Sequence, residues 1–153
     1  MKSTAIARVL ALVLSFGLVS ADAAAQVKPA DAIRYRHSAF QVVVWNFMPM
    51  SAMARGKLPF DAVKFGMHAD RVAALAPQLL EGFPKGSDTG GETEAKPEIW
   101  ANWPDFESKM KALETESRKL ADLCKSADEA AIKVQFGKVG ASCKACHDQY
   151  KMD

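Results

Sequence analysis

The feature that most constrains this chain is the segment Cys143-Lys144-Ala145-Cys146-His147, close to its C-terminus. Two cysteines three apart, followed at once by histidine, form the attachment sequence of a c-type haem. On a helix, positions i, i+3 and i+4 share one face. Cys143 and Cys146 would each form a thioether with a haem vinyl group, and His147 would bind the iron. The motif predicts a helix that carries one covalent haem c.

Two other uses of the cysteine pair are a redox-active dithiol and a zinc site. A dithiol site of the CxxC type lies where a strand meets a helix in a βαβ unit, and nothing strand-like precedes Cys143. A structural zinc ion takes four ligands. Cys143, Cys146 and His147 supply three, and Cys124 has no paired spacing. Haem attachment is the favoured interpretation of the three.

The N-terminus has the pattern of a secretory signal peptide. A basic start is followed by the apolar run 9–19 and then by small residues. The apolar run is too short to span a bilayer comfortably. Cleavage after Ala25 would leave 26–153 as the mature domain, and an alternative site follows Ala23. Because bacteria attach haem c after export, this segment and the haem motif agree, and we expect a periplasmic protein.

The mature chain is long enough for one domain with a hydrophobic core. Loss of the signal peptide removes Lys2, Arg8 and Asp22 from 20 basic and 18 acidic side chains, which leaves a nearly neutral protein. This balance argues against a nucleic-acid partner. The sequence contains no second long apolar segment, so we expect no membrane anchor.

Apolar residues at three- and four-residue steps predict a first helix over Asp31 to about Ala54, which Pro49 should kink or shorten. Asp61 is placed to cap a second helix that runs to about Leu80. Its inward side chains are predicted to be Val63, Met67, Val72, Leu75 and Leu79.

The segment from Gly82 to Pro97 is rich in glycine and polar residues and is predicted to be the one long loop. Asn102 is a candidate cap for a third helix. A capping-box pattern from Ser126 to Glu129 predicts the start of a fourth helix, which runs into the haem motif. Four helices without a strand pattern predict an all-α four-helix bundle.

With the haem motif on a fourth helix, the chain resembles cytochrome c′, the high-spin branch of the class II c-type cytochromes. The resemblance rests on the segments 35–40, 56–61, 96–100 and 139–147. It implies an antiparallel four-helix bundle with haem c between the helices. It also implies a homodimer formed through the first two helices. The iron would be five-coordinate and would bind nitric oxide and carbon monoxide.

The resemblance places Phe40 over the open side of the iron. The low-spin branch of the same class has methionine at this place, which closes the iron with a sulfur ligand. Phenylalanine neither coordinates a metal nor donates a hydrogen bond. We therefore expect a gas-binding haem protein, and the alternative is a six-coordinate electron-transfer cytochrome. His37 and Met48 are the rival ligands on the same helix, and no residue indicates enzymatic turnover.

Further site residues follow from the same resemblance. Arg36 and His37 would line the haem edge near a propionate, and Arg36 has the charge for this role. Glu92 or Glu94 of the long loop would approach the same edge, and Glu92 is our assignment. Lys151 matches a basic position beside the iron-binding histidine.

Two features remain after the haem motif is assigned. Cys124 is unpaired, and we expect it to be a small apolar packing residue. The first helix is apolar on more than one face, which predicts a dimer surface around Val42, Trp45 and Met53. A two-fold partner would present the same surface back to it.

Overall fold

The computed structural model describes residues 27–152, and the predicted signal peptide lies outside them. Within that range the chain is helical apart from turns, loops and a single β-bridge. Four long helices pack as a bundle, which confirms the predicted all-α class. The elements in chain order are α1 (Pro29–Ala54), α2 (Ala62–Leu75), a 3₁₀ helix (Ala76–Gly82), α3 (Glu98–Ala101), α4 (Trp103–Leu123) and α5 (Glu129–Tyr150).

Helix α1 passes through Pro49 and continues to Ala54. The proline has no N–H for the carbonyl of Trp45, four residues earlier. Trp45 is 75 % exposed, so this turn lies on the solvent-facing side of the helix. The helix is not shortened at Pro49, and the predicted end at Ala54 is confirmed.

Helix α2 begins as predicted, because the Asp61 side chain accepts a hydrogen bond from the Lys64 amide at 3.0 Å. It ends at Leu75, five residues before the predicted end. Pro77 lies in the next turn and has no amide to donate. The chain there tightens into the 3₁₀ helix Ala76–Gly82.

The inward face of α2 was predicted only in part. Val72 and Leu79 are buried as expected, but Val63 is 83 % exposed and Met67 is 41 % exposed. Phe65 is fully buried instead. The stripe that faces the core thus starts at Phe65, and the two exposed residues lie on the other side of the helix.

The starts of the last two long helices also differ from the predicted caps. The Asn102 side chain makes no capping hydrogen bond at the start of α4. At α5, Asp128 accepts from the Ala131 amide at 2.8 Å, whereas Ser126 precedes the helix. The predicted capping box was therefore wrong, and a single aspartate caps the helix.

Aromatic rings link the helices in the core. Phe106 of α4 contacts Phe83 and Tyr150 edge-on, with ring centroids 4.9 and 5.3 Å apart. Cys124 packs partly buried against the same core, as expected for a packing residue, and burial raises the pKa of its thiol. Among residues 27–152, no helix combines the length and apolar character that a membrane span requires.

Candidate haem site

The haem motif occupies the last two turns of α5. Cys143 and His147 lie one turn apart and line the same open cavity of about 640 Å³. This volume is in the range of about 300–1,000 Å³ that is usual for cofactor sites. The rest of the lining comes from Phe47, Ser51, Ala54 and Arg55 of α1 and from Lys133, Phe136, Gly137, Gly140, Lys144 and Asp148 of α5.

Cys146 lies on the side of α5 that is nearer to α4. The pKa of its thiol is raised to about 11, mainly by burial; Lys109 opposes the rise, and Cys143 and Asp105 contribute to it. Burial also raises the pKa of the Cys143 thiol, and both cysteines are unpaired. Redox-active dithiols lie where the thiol pKa is lowered. The surroundings of this pair therefore disfavour dithiol redox chemistry.

His147 is exposed on the last turn of α5. Desolvation lowers the pKa of its imidazole, Lys151 lowers it further, and Asp148 and Glu94 oppose the shift. A lowered pKa favours the neutral ring at neutral pH. Neutral imidazole is the form that binds a metal ion, so these surroundings suit a metal ligand.

Helices α1 and α5 are held in register by aromatic stacking. The ring of Phe47 stacks on Phe136 with centroids 4.6 Å apart. His37 lies near the start of α1 and His147 near the end of α5. Glu94 lies close enough to both for their charges to act on it. The start of α1 therefore lies near the end of α5, and the two helices are antiparallel.

This register places Phe40 at the level of the haem motif. Phe40 is seven residues before Phe47, or about 10 Å along α1 at 1.5 Å per residue. Cys143 is seven residues after Phe136, the same distance in the opposite direction along α5. Phe40 is partly buried. Its ring meets Phe83 edge-on, with centroids 6.3 Å apart.

Arg36, one turn before Phe40, is buried and anchors the long loop. Its Nη1 donates to the Gly82 carbonyl and to Ser87 Oγ, both at 3.1 Å. Its Nη2 donates to the Ser87 carbonyl at 2.9 Å and to Thr93 Oγ1 at 2.6 Å. Guanidinium has five N–H donors, so the Nε–H remains for another acceptor.

The positive charge of Arg36 has no carboxylate partner within ion-pair distance in the described part of the chain. Its guanidinium lies over the rings of Phe83 and Trp100, with centroids at 5.2 and 5.7 Å. Burial lowers the pKa of Arg36, and the charge of Asp88 opposes this. A buried cation of this kind would be stabilised by an added anionic group.

Glu94 is the acidic loop residue that pairs with the residues directly after α5. It forms an ion pair with Lys151 at 2.9 Å, and this contact is the main cause that lowers the pKa of Glu94. Glu92 is exposed on the same loop. His37 is exposed on α1 and is close enough for its charge to act on Glu94. Of the two loop glutamates, Glu94 is the one whose charge acts on His147.

Sequence reasoning missed the loop residues Ser87 and Thr93, which bind Arg36. It also missed Tyr150, whose hydroxyl donates to Asp105 of α4 at 2.6 Å. A serine or a threonine in a polar loop carries no spacing signal that would reveal such a role.

The residues around the motif fit a haem. A Cβ at Gly137 would meet no atom within 4 Å, and one at Gly140 would meet only the Phe47 ring, at 3.7 Å. The cavity-lining face of α5 is therefore open to a flat group. Cys143 and His147 line this face, whereas Cys146, Arg36 and Phe40 lie outside the cavity lining. The thiols at positions 143 and 146 could tether such a group, and the uncompensated charge of Arg36 suits its propionates.

Comparison with known proteins identifies the family. The family model described as Cytochrome C' matches residues 31–151. A cytochrome c' from Halomonas halodenitrificans is 39 % identical over 131 residues, covering 82 % of this chain and 99 % of that protein.

Solved structures agree. Cytochrome c prime from Shewanella frigidimarina is 50 % identical with a TM-score of 0.80, covering 83 % of this chain and 98 % of that one. A nitric oxide complex of a mutant cytochrome c prime from Alcaligenes xylosoxidans is 34 % identical with a TM-score of 0.75, again covering 83 % of this chain and 98 % of that one. The chain therefore belongs to the cytochrome c′ family, and haem c is its cofactor.

Proposed function

We propose that this protein is a periplasmic cytochrome c′ whose haem iron is five-coordinate and high-spin and binds nitric oxide and carbon monoxide. Residues 1–25 would direct export and be removed, leaving 26–153 as the haem domain. The basic and apolar pattern of the N-terminal segment supports this step. Covalent haem attachment follows export in bacteria, so the same location suits the motif at 143–147.

Cys143 and Cys146 would tether the haem through thioethers, and His147 would bind the iron. The lowered pKa of His147 supports the last assignment, because it keeps the imidazole neutral. The haem, when bound, supplies an iron that coordinates small diatomic gases. Binding without turnover is proposed, because Phe40 provides no group that donates or accepts a proton.

The proposal rests on the position of Phe40 along α1 relative to the haem motif on α5. The stacked pair Phe47 and Phe136 supports a register in which Phe40 lies at the level of Cys143, one turn before His147. Its ring gives the iron no ligand atom. Phe40 therefore leaves the second axial side open but sterically covered.

Such a cover discriminates between gases. A ligand must displace the ring of Phe40, which lowers affinity for all of them. Dioxygen gains most from a distal hydrogen-bond donor, and Phe40 provides none. Nitric oxide binds ferrous haem tightly enough to tolerate the penalty. The nitric oxide complex of the Alcaligenes relative supports the same ligand for this chain.

The second candidate is an electron-transfer cytochrome with a six-coordinate iron. It requires a ligand from α1, and the rivals are His37 and Met48. His37 is exposed and close to Glu94, and Met48 is 61 % exposed. The exposure of Met48 disfavours it as an iron ligand, and His37 is the rival that the optical spectrum tests. A five-coordinate iron can still pass electrons.

The haem edge would be held by polar groups near the long loop. Arg36, through its remaining Nε–H and its uncompensated charge, would accept a propionate. His37 would lie at the same edge. Of the two acidic candidates, Glu94 is better supported than Glu92, because it already contacts Lys151.

A homodimer formed through the first two helices is the proposed assembly. Val42 is 46 % exposed and Trp45 is 75 % exposed on α1. Large exposed apolar side chains that lie close together usually mark a contact surface. Met53 does not belong to this surface, because it is 4 % exposed and packs in the core.

The optical spectrum of the purified haem protein, in both oxidation states, tests the coordination. One broad visible band in the ferrous form is expected for a five-coordinate iron. Sharp, split bands before any gas is added would show a six-coordinate iron and would favour the electron-transfer alternative.

A further inference from the structure

The last turn of α5 carries His147 and is held from two sides. The final carbonyls of a helix have no partner within the helix, and the ends of helices fray. His147 is only three residues before Tyr150, where α5 ends. A residue in this position is fixed only if the turn is tied to other parts of the chain.

The first tie runs to α4. Tyr150 is 2 % exposed, and its hydroxyl donates to Asp105 Oδ2 at 2.6 Å. Asp105 lies in the first turn of α4. The Tyr150 ring also packs edge-on against Phe106, with centroids 5.3 Å apart. One side chain thus joins the end of α5 to the start of α4 by both packing and a hydrogen bond.

The second tie runs to the long loop. The Lys96 amide donates to the Tyr150 carbonyl at 3.0 Å, and the Met152 amide donates to the Glu94 carbonyl at 2.7 Å. Between these bonds Ala95 and Lys151 form an antiparallel β-bridge. The loop thus binds the residues that directly follow the last turn of the helix.

The two ties meet at the turn that contains His147. The Lys151 amide donates to the His147 carbonyl at 3.1 Å. On the loop side, Thr93 Oγ1 accepts from the Ala95 amide at 3.1 Å and from Arg36 at 2.6 Å. The end of α5 is therefore connected to α1 as well as to α4.

We propose that Tyr150 and Asp105 are positioning residues for His147. They act by holding the helical turn that carries it. The proposal rests on the proposed role of His147 as the axial ligand. The Tyr150–Asp105 bond and the loop contacts hold the turn from which the His147 imidazole projects. They would thereby fix the position of the ring that binds the iron.

The test compares Tyr150→Phe with Tyr35→Phe in the haem-loaded protein. Each change removes one hydroxyl and keeps the ring. Tyr35 is a suitable control because its hydroxyl donates to the Gln78 carbonyl at 3.2 Å, in the 3₁₀ helix that follows α2 rather than at the end of α5. The first measurement is hydrogen exchange of the Lys151 amide.

We expect Tyr150→Phe to raise the exchange rate of the Lys151 amide at least tenfold, with no such change in Tyr35→Phe. The iron–histidine stretching band of the ferrous protein, measured by resonance Raman, should broaden or shift only in Tyr150→Phe. A purely structural loss elsewhere in the bundle would not move this band selectively.

Exchange of the Lys151 amide within twofold of the Tyr35→Phe value would overturn the proposal. If Tyr150→Phe does not fold, Asp105→Asn replaces it, because asparagine retains an oxygen acceptor without the charge. At least threefold faster exchange is then expected, and an unchanged rate again overturns the proposal. Absence of an iron–histidine band in the unmodified protein would contradict the proposed role of His147 as the iron ligand. The exchange comparison would still decide whether Tyr150 holds the turn.

Discussion

Phe47 stacks on Phe136 with ring centroids 4.6 Å apart and planes at 29°, and this contact aligns α1 with α5. It is important because the candidate gas-binding side of the haem is formed by α1, whereas the iron ligand is on α5. Two turns from this pair, in opposite chain directions, lie Phe40 and Cys143. The alignment of the two helices is therefore what pairs Phe40 with the haem motif.

Replacement of Phe40 by alanine should raise the affinity for carbon monoxide at least tenfold, which corresponds to about 1.4 kcal/mol. The reason is that the ligand no longer has to displace a ring. Equilibrium titration and the association rate, measured on the ferrous protein, check this. Phe60→Leu is the control, because Phe60 packs against Phe65 away from the motif. Equal affinities in Phe40→Ala and the control would remove Phe40 from its proposed role.

Replacement of Arg36 by glutamine should lower the free energy of unfolding by about 3 kcal/mol, because several buried loop acceptors lose their charged donor. Chemical denaturation of the haem protein measures the change. Limited proteolysis should also cut the segment 83–97 faster. The matched control is Arg34→Gln, an exposed residue paired with Asp31, which should change the free energy by no more than about 0.5 kcal/mol. Similar losses in both variants would show that the loop bonds do not stabilise the fold.

A charged residue at Trp45 should separate the proposed dimer. Trp45→Glu places a carboxylate on the exposed face of α1, where a two-fold partner would present the same carboxylate. Sedimentation at micromolar concentration should change from a dimer to a monomer. Val134→Glu is the control, because Val134 is 65 % exposed on α5 and lies outside the proposed surface. A monomer before any substitution would contradict the dimer itself.

The free energy of unfolding should decrease as the pH is lowered below about 6.5, in part because of His68. Its ring contacts Asn46 of α1, with Nδ1 and Oδ1 3.0 Å apart. Burial lowers the pKa of His68, and Arg71 lowers it further. The unfolded chain therefore binds a proton at a higher pH than the folded chain, so stability present above about pH 6.5 is lost as pH falls through the folded-state pKa.

The measurement is the free energy of unfolding at pH 7.5 and at pH 5. The difference between these values should be smaller in His68→Gln than in the unmodified protein. Arg71→Gln removes one of the two causes and should give an intermediate difference. An equal pH dependence in all three proteins would show that His68 titrates alike in the folded and unfolded chains.

The sequence predicted those parts of the molecule that depend on local rules. Asp61 was expected to cap α2 because aspartate is a strong cap, and its hydrogen bond to the Lys64 amide confirms this. The haem motif is equally local, since its chemistry depends on three residues within one and a half turns. Its place on a terminal helix followed from the apolar spacing before it.

Features that depend on distant contacts were not predictable in the same way. Val63 has the spacing of an inward residue and is nevertheless 83 % exposed, because the neighbouring helices pack on the face that carries Phe65. Glu92 and Glu94 are chemically equivalent in the sequence. Only the pairing of the loop with Lys151 distinguishes them.

The hydrogen bonds of Arg36 also affect how the bundle assembles. Its acceptors lie 46 to 57 residues further along the chain, and long-range contacts of this kind form late and slowly. Until the loop docks, the guanidinium has to stay in water, since burying it without partners would be very unfavourable. The first helix therefore cannot settle against the core in advance of the loop. Closure of the bundle and docking of the loop should then occur as a single cooperative step.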